Sequence, residues 1–462
     1  MTAEPRVRPR PGVTDVDTGL LVIGGGACGL VAALTMAEAG VPCLVVERDA
    51  TLAGSTALSS GMIPAAGSAA QRRAAVIDSP ALQAADIQRK AKGRARPELV
   101  AAVVDACAPT VDWLIAAHGI DLVLVTDFLY PGHSAHRMHA PPSRDGADLI
   151  GGLTRAAAAA GVDVVTEARA ETLFTADGRV AGAAIERADG ARETIGAGAV
   201  LLACNGFGGA PEMVRRHIPE MADALYFGHV GNQGDALVWG AELGAATEHM
   251  GAYQGHGSVA HPHGILITWA LVMGGAIQVN REGRRFADES QGYSEQAVRV
   301  VGQPGGEAWI VHDERLHQIG MGFPDYRQAD AMGAVRVAAD VGELAVLIGA
   351  APTDLAATLD AARPGRCPFG RNFANGQALT PPFRAIRVVG TLFHTQGGLR
   401  IDRRGRVQDK AGRPIAGLFA GGGAAVGVSG PEVDGYLSGN GLLTAVTLGR
   451  LAALAAIEDL KQ

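Results

Sequence analysis

Aromatic residues are scarce in this chain, making up 5% of its 462 residues. Glycine and alanine are used heavily instead, which favours close helix–sheet packing with many near approaches of backbone to backbone. An excess of basic charge is missing too. The formal net charge is −7, so there is no cationic footprint for nucleic acid. The five cysteines (Cys28, Cys43, Cys107, Cys204, Cys367) form no CxxC or CxxCH pattern, which excludes the usual zinc, attached-haem and disulfide frameworks. The expected setting is a reducing cytoplasm. Cys28 lies in a glycine loop; a small buried side chain is the favoured reading and a reactive thiol the alternative. Long apolar runs are also lacking. The stretch GILITWALVMGGAI (264–277) is too short and too glycine-broken to cross a bilayer, so no transmembrane segment is expected. The opening MTAEPRVRPRPGVTDVD has basic residues but no apolar run, and reads as a loose arm rather than a signal peptide.

What is present is an ordered globular composition, 48% hydrophobic and 19% charged, with length for two or three domains. Residues 19–23 and 41–47 read as buried parallel strands, and residues 30–39 as the helix between them, a βαβ unit. Residues 96–120 have the apolar spacing of one or two helices, and 148–160 of another. Residues 162–195 alternate like a small antiparallel insert with a hairpin at Asp177-Gly178. Residues 200–203 form a further buried strand that ends in the turn CNGFGG. From about 251 to 392 the βαβ rhythm stops, which marks a separate inserted domain. From 393 the first pattern returns, closing with a long helix over 442–460.

Gly24-Gly25-Gly26-Ala27-Cys28-Gly29 is a GxGxxG placed after a strand and opening a helix. Gly24 makes the tight turn, Gly26 lets the backbone approach a pyrophosphate, and Gly29 allows helix–strand packing. The helix N-terminus supplies N–H donors and partial positive charge. Glu47 ends the second strand at the spacing of a ribose-binding carboxylate. NAD and FAD both use this fingerprint. The strip after Glu47, RDATLAGSTALSSGMIPAAG, favours FAD, because a long polar, glycine-rich segment suits an extended second ligand half. Its candidate contacts are Arg48, Ser55, Thr56, Ser59, Ser60, Gly61 and Met62.

The set GGGACG with Glu47, GSTALSSGMIPAAG, VLLACNGFGG, VNREGRRFADES, FHTQGGLRID and GLFAGGG resembles the flavoprotein family of fumarate reductases and 3-ketosteroid dehydrogenases over nearly the whole chain. The resemblance implies an α/β fold: a Rossmann-like FAD-binding domain split in sequence (1–250 and 393–462) around an α+β capping domain (251–392). It implies FAD and hydride exchange between flavin N5 and the carbon β to a carbonyl. No histidine stands between Arg48 and Gly61, so non-covalent FAD is expected. Gly422, Gly439, Asn440 and Leu442 are expected to face the flavin, the last three at the start of the final helix.

Fumarate reductases carry one arginine soon after RF-x-x-E and a second near the C-terminus. RFADESQGY puts Tyr293 at the first place and GYLSGNG (435–441) puts Tyr436 at the second. His256 and His394 fall near two family histidines that bind carboxylates. A guanidinium holds a carboxylate through paired charged hydrogen bonds, whereas a phenol is neutral and one-pronged and suits a ketone oxygen. The motif is closest to the 4-ene-forming ketosteroid dehydrogenases, whose Tyr-x-Ser-Gly is matched by Tyr436-Leu437-Ser438-Gly439. The expected activity is α,β-desaturation of a cyclic ketone, steroid or smaller; the alternative is an ene-reductase acting on an enone or unsaturated carboxylate. Tyr436 would polarise the carbonyl, Tyr293 or Ser438 would handle the α proton, and Tyr130 would support Tyr293. The loop residues His133, His136, Arg137 and His139 are read either as binding a polar substrate end or as a solvated surface. Trp113 and Trp269 are read as core packing, with a substrate wall as the alternative. The electron acceptor is expected to be external: oxygen, a quinone or another protein.

Overall fold

A computed structural model describes residues 5–373 and 378–461. They form two compact units, one of residues 5–213, 228–252 and 394–461, the other of 214–227, 253–373 and 378–393.

The first unit is built on a nine-stranded sheet. Its centre is parallel: Arg192–Leu202 pairs with Val16–Ile23, which pairs with Cys43–Val46, which pairs with Asp163–Val165. Pro414–Ala420 pairs in parallel with the other edge of Arg192–Leu202. Leu20, Leu21, Val22, Val200, Leu201 and Leu202 have no exposed surface, as expected where helices cover both faces of a parallel sheet. One face packs on the helices Ala27–Glu38 and Asn440–Leu460 through Ala32, Ala33, Met36, Ala452, Ala453 and Ala456. Small side chains make this possible: a Cβ on Gly449 would stand 2.3 Å from the carbonyl oxygen of Cys28.

Antiparallel strands Ala168–Ala176 and Arg179–Arg187 flank this centre. Their turn, Asp177-Gly178, has positive φ at both residues (50° and 74°), the geometry of a two-residue hairpin turn. The N-terminal segment is not a loose arm over its described part. Val7–Pro9 adds a parallel strand to Ala168–Ala176, and Arg6 pairs with Asp235 at 2.8 Å. A strand this short carries too little apolar pattern to announce itself. Residues 97–118 form one helix, Pro97–His118, with Pro109 inside it. This helix and Asn440–Leu460 are long and apolar enough to cross a membrane by length and composition; 50% and 67% of their apolar windows are buried within the protein.

In the second unit the sheet order runs Ile265–Leu266, Tyr253–Ala260, Phe383–Thr395, Glu307–His312, Ile277–Val279. Side chains alternate between two cores: Ala308, Ile310, Ile386 and Val388 enter one, Val311, Phe383 and Ala385 the other. The helix Tyr293–Val301 lies directly on the sheet because the strands offer glycines there. A Cβ on Gly255 would stand 2.7 Å from Ala297 Cβ, and one on Gly390 2.3 Å from Ala297 O. The RFADES segment before this helix is anchored by a buried carboxylate. Glu289 accepts from Arg285 at 2.6 Å and from Arg371 at 2.9 Å, and both guanidinium groups are buried.

Candidate active site

The glycine loop is shaped as its sequence requires. Gly24 has φ +112°, and a Cβ there would meet Ala203 O at 2.5 Å; on Gly29 it would meet Gly24 O at 2.0 Å. Gly26 is different. Its φ is −74°, and a Cβ would meet only Thr56 Oγ1, at 3.5 Å. Nothing in the backbone or packing of the chain demands glycine at 26, so the requirement is space for a ligand. Gly26 caps the helix without a side-chain hydrogen bond, which leaves the helix N-terminus open to an anion. Glu47 is buried and accepts from Gly25 N (2.8 Å) and Asp49 N (3.1 Å). A carboxylate has capacity for further donors beyond these two.

The strip after Glu47 is held by its own polar atoms. Thr56 Oγ1 accepts from Ala27 N at 3.0 Å, and Ser59 Oγ donates to Thr56 O at 2.7 Å. Ser55 Oγ accepts from the side chains of Asn205 (2.7 Å) and Asn232 (3.0 Å), which keeps its own proton for another partner. Arg48 donates to Gly231 O at 2.5 Å, and His229 meets Asp49 at 2.9 Å. Ser60 is exposed, while Gly61 is buried and Met62 half-buried. Asn205 and Asn232 escaped the sequence reading, because their approach to Ser55 spans 150 residues or more of chain. Cys28 is buried and its thiol is pushed up to about 12 by that burial, so it is not a reactive thiol.

The GYLSGNG turn gathers a second group of side chains in the same unit. Tyr436 is 6% exposed, and its burial raises the phenol above its ordinary value; N–H groups of Gly441 and Gly439 act the other way. His394 meets Tyr436 edge-on with ring centroids 5.7 Å apart. A Cβ on Gly441 would lie 3.0 Å from His394 Nε2 and 3.8 Å from the Tyr436 hydroxyl, so glycine keeps open a space that both polar tips reach. Gly439 has φ +85° and lets the chain enter the helix Asn440–Leu460. Asn440 donates to Ser429 Oγ at 3.0 Å, and Ser429 donates to Gln396 Oε1 at 2.8 Å. Asn440 Oδ1 is buried without a hydrogen-bond partner among the described residues. Gly422 and Leu442 are half-buried.

Ser438 is 5% exposed, and its carbonyl accepts from His133 Nε2–H at 3.0 Å. Behind His133 stands Arg137, fully buried and paired with Asp78 (2.9 Å) and Asp86 (2.7 Å), whose side chains are both fully buried. The loop cluster of His133, Arg137 and His139 is therefore neither a solvated surface nor a grip for a polar substrate end. It is an internal ion network behind the turn. Burial, with Arg137 adding to it, pushes the His133 pKa down to about 4, so the ring is neutral. Tyr130 packs edge-on against Phe128 at 4.9 Å, and burial pushes its phenol up to about 12. Trp113 donates to Glu38 at 3.1 Å and lies under Arg450, which makes it a helix-packing residue.

In the second unit Tyr293 is the first residue of its helix. It stacks flat on His256, with centroids 4.5 Å apart and planes 8° apart. Trp269 meets both edge-on, and Phe393 stacks on His256 at 5.5 Å. Aromatic residues are few in the chain, and five rings, Tyr293, His256, Trp269, Phe393 and Phe227, form one cluster here.

The chain matches the family described as FAD binding domain over residues 19–441. It is 29% identical over 446 residues to the probable fumarate reductase Ifc3 of Shewanella frigidimarina, covering 94% of this chain and 74% of that one. It is 26% identical over 523 residues to the 4-oxocyclohexanecarboxylate 2-dehydrogenase of Sinomonas cyclohexanicum, covering 88% and 87%. Among solved structures it is similar to the 3-ketosteroid Δ4-(5α)-dehydrogenase of Rhodococcus jostii RHA1, with a TM-score of 0.78 and 24% identity over 97% of this chain and 99% of that one. A ligand-shaped glycine loop, a buried strand-end carboxylate and a family match across both units point the same way: the chain belongs to the FAD binding domain family and is an FAD-dependent oxidoreductase acting on carbon–carbon bonds.

Proposed function

We propose that the chain desaturates a cyclic ketone, a 3-ketosteroid or a smaller cyclohexanone, at the carbons α and β to the carbonyl. The observation that carries this reading is the GYLSGNG turn. There a neutral phenol, Tyr436, stands beside backbone N–H groups and His394 over Gly441. The phenol and the N–H groups are donors for a carbonyl oxygen in which negative charge develops. The guanidinium behind the turn, Arg137, is committed to Asp78 and Asp86 and is not available to clamp a carboxylate. FAD, when bound, supplies the two-electron acceptor. Gly24, Gly26, Ala27, Gly29, Glu47, Ser55 and Thr56 would hold its dinucleotide, and Gly439 and Asn440 its ring end. With no histidine between Arg48 and Gly61, the attachment is non-covalent. Tyr436 polarises the ketone, and Tyr293, by its place after RF-x-x-E, is assigned the α proton, which it takes only as its phenolate or by passing its own proton on. An external oxidant reoxidises the enzyme.

A second reading, an ene-reductase on an unsaturated carboxylate or enone, is favoured by one observation: the fumarate reductase relative is nearer in sequence than the ketone dehydrogenase, at 29% against 26% identity. Anaerobic flavin bleaching separates the two. The oxidised holoprotein is mixed with 3-ketosteroids, cyclohexanones, 4-oxocyclohexanecarboxylate and succinate. Bleaching by one of the ketones is expected, and Tyr293→Phe should abolish it while FAD stays bound. Bleaching by succinate alone sinks the ketone reading.

A further inference from the structure

Asn205 stands at a backbone position suited to glycine. Its φ is +66°, in the left-handed region, which an L side chain enters at a cost. Room for its side chain is kept by a glycine on another segment: a Cβ on Gly423 would lie 2.0 Å from Asn205 Oδ1. The amide is held in one orientation. Its Oδ1 accepts from Gly206 N at 2.8 Å, so Nδ2 is the end that meets Ser55, at 2.7 Å. Glycine at 205 would relieve the backbone but would supply no amide. Asn232, which is buried, reaches the same serine from a separate loop, and its Nδ2 donates to Ser55 Oγ at 3.0 Å. A hydroxyl oxygen has two lone pairs, and the two amides fill both. Ser55 is left able only to donate. Thr56 beside it is loaded in a similar way: its Oγ1 takes the N–H of Ala27 at 3.0 Å and stands 3.5 Å from the Cβ position of Gly26. Neither hydroxyl proton has an acceptor among the described residues. Two adjacent O–H donors beside the N-terminus of the helix Ala27–Glu38 are complementary to an anion that carries no proton. In FAD that anion is the pyrophosphate.

We propose that Asn205 and Asn232 are positioning residues for the cofactor: by filling both lone pairs of Ser55 Oγ they make its hydroxyl an obligate donor to the FAD pyrophosphate. The proposal rests on the reading above only in placing the FAD dinucleotide at Ser55 and Thr56, and it is independent of the substrate.

Two measurements on the holoprotein test it: FAD release on dilution, followed by flavin fluorescence, and phosphorus NMR of the bound cofactor. Ser55→Ala should weaken FAD binding by about tenfold to a hundredfold, the size of one hydrogen bond to a charged group. It should also displace a phosphorus signal of the bound FAD while the flavin absorption spectrum stays in place. Asn205→Gly suits the φ +66° backbone, so it removes the amide without straining the turn, and it should displace the same signal. The two losses should not multiply. In the Ser55→Ala background Asn205→Gly should change FAD affinity by less than about threefold, because an amide that acts through Ser55 has nothing left to orient. Losses that multiply, as for amides that only hold the turn, overturn the proposal. So does Ser55→Ala that binds FAD within about threefold of the wild type, or a displaced flavin spectrum with unmoved phosphorus signals. If Asn205→Gly does not fold, Asn232→Ala takes its place in the same cycle with the same outcomes. A protein that behaves as expected here but is bleached by no ketone leaves this inference standing and removes the ketone reading. One that is bleached by a ketone, with FAD affinity indifferent to these side chains, does the reverse.

Discussion

Gly26→Ala and Gly29→Ala separate a glycine needed by a ligand from one needed by the fold. At Gly26 the backbone is at φ −74°, a value alanine adopts freely, and the added methyl would touch only Thr56 Oγ1 at 3.5 Å. The apoprotein should therefore keep its stability or gain about 0.4–1 kcal/mol from the stiffer unfolded chain. The same methyl occupies the place where a pyrophosphate must approach the helix N-terminus. Loss of one or two charge-assisted hydrogen bonds at about 1.5–3 kcal/mol each weakens FAD binding by roughly tenfold to twenty-thousandfold. At Gly29 the methyl would stand 2.0 Å from Gly24 O and 2.9 Å from a Val22 methyl, and no rotamer relieves a clash with backbone. The helix must shift, at about 1–3 kcal/mol or more, with or without the cofactor. The assay is thermal unfolding of both apoproteins, followed by flavin-fluorescence titration with FAD. Gly26→Ala binding FAD within about threefold of the wild type would refute the assignment of this position to the ligand. So would an apoprotein destabilised as much as Gly29→Ala.

Other expectations follow from the same geometry. Tyr436→Phe removes one donor from the proposed carbonyl site and should lower the rate of flavin reduction by about 10²–10³ in stopped-flow, with FAD affinity unchanged; an unaltered rate removes Tyr436 from the site. Arg137→Met leaves Asp78 buried without its cation and Asp86 with only Arg89, and should cost about 3–5 kcal/mol in urea unfolding; a loss under about 1 kcal/mol, the range of an exposed ion pair, contradicts the buried network. His133 is held neutral, with its pKa lowered to about 4. Between that value and the unfolded histidine pKa of about 6.5 the unfolded chain binds more protons, so this part of the stability is complete above the upper value and is lost as pH falls toward the lower. His133→Gln should therefore lose less stability than the wild type between pH 7 and pH 4.5, measured by urea midpoints; an equal loss excludes His133 as a contributor.

The local rules were legible in the chain. Strand, GxGxxG and helix are three neighbouring signals with one physical reading, and the structure builds them at Val16–Ile23, Gly24 to Gly29 and Ala27–Glu38. Apolar runs at 19–23 and 200–203 marked strands buried on both faces, and Asp177-Gly178 marked its hairpin.

Everything that depends on partners far apart in sequence was decided by the tertiary structure. Whether Arg137 faces substrate or core cannot be read from HSAHRMHA; Asp78 and Asp86, more than fifty residues away, take it inside. Whether Cys28 is reactive depended on its burial, and whether Val7–Pro9 is an arm or a strand depended on an edge supplied by Ala168–Ala176. Composition, periodicity and turn residues act over a few positions and are written in order along the chain. Desolvation and hydrogen-bond pairing act across whatever the fold brings near, so protonation, charge and access at the site exist only once the chain has folded.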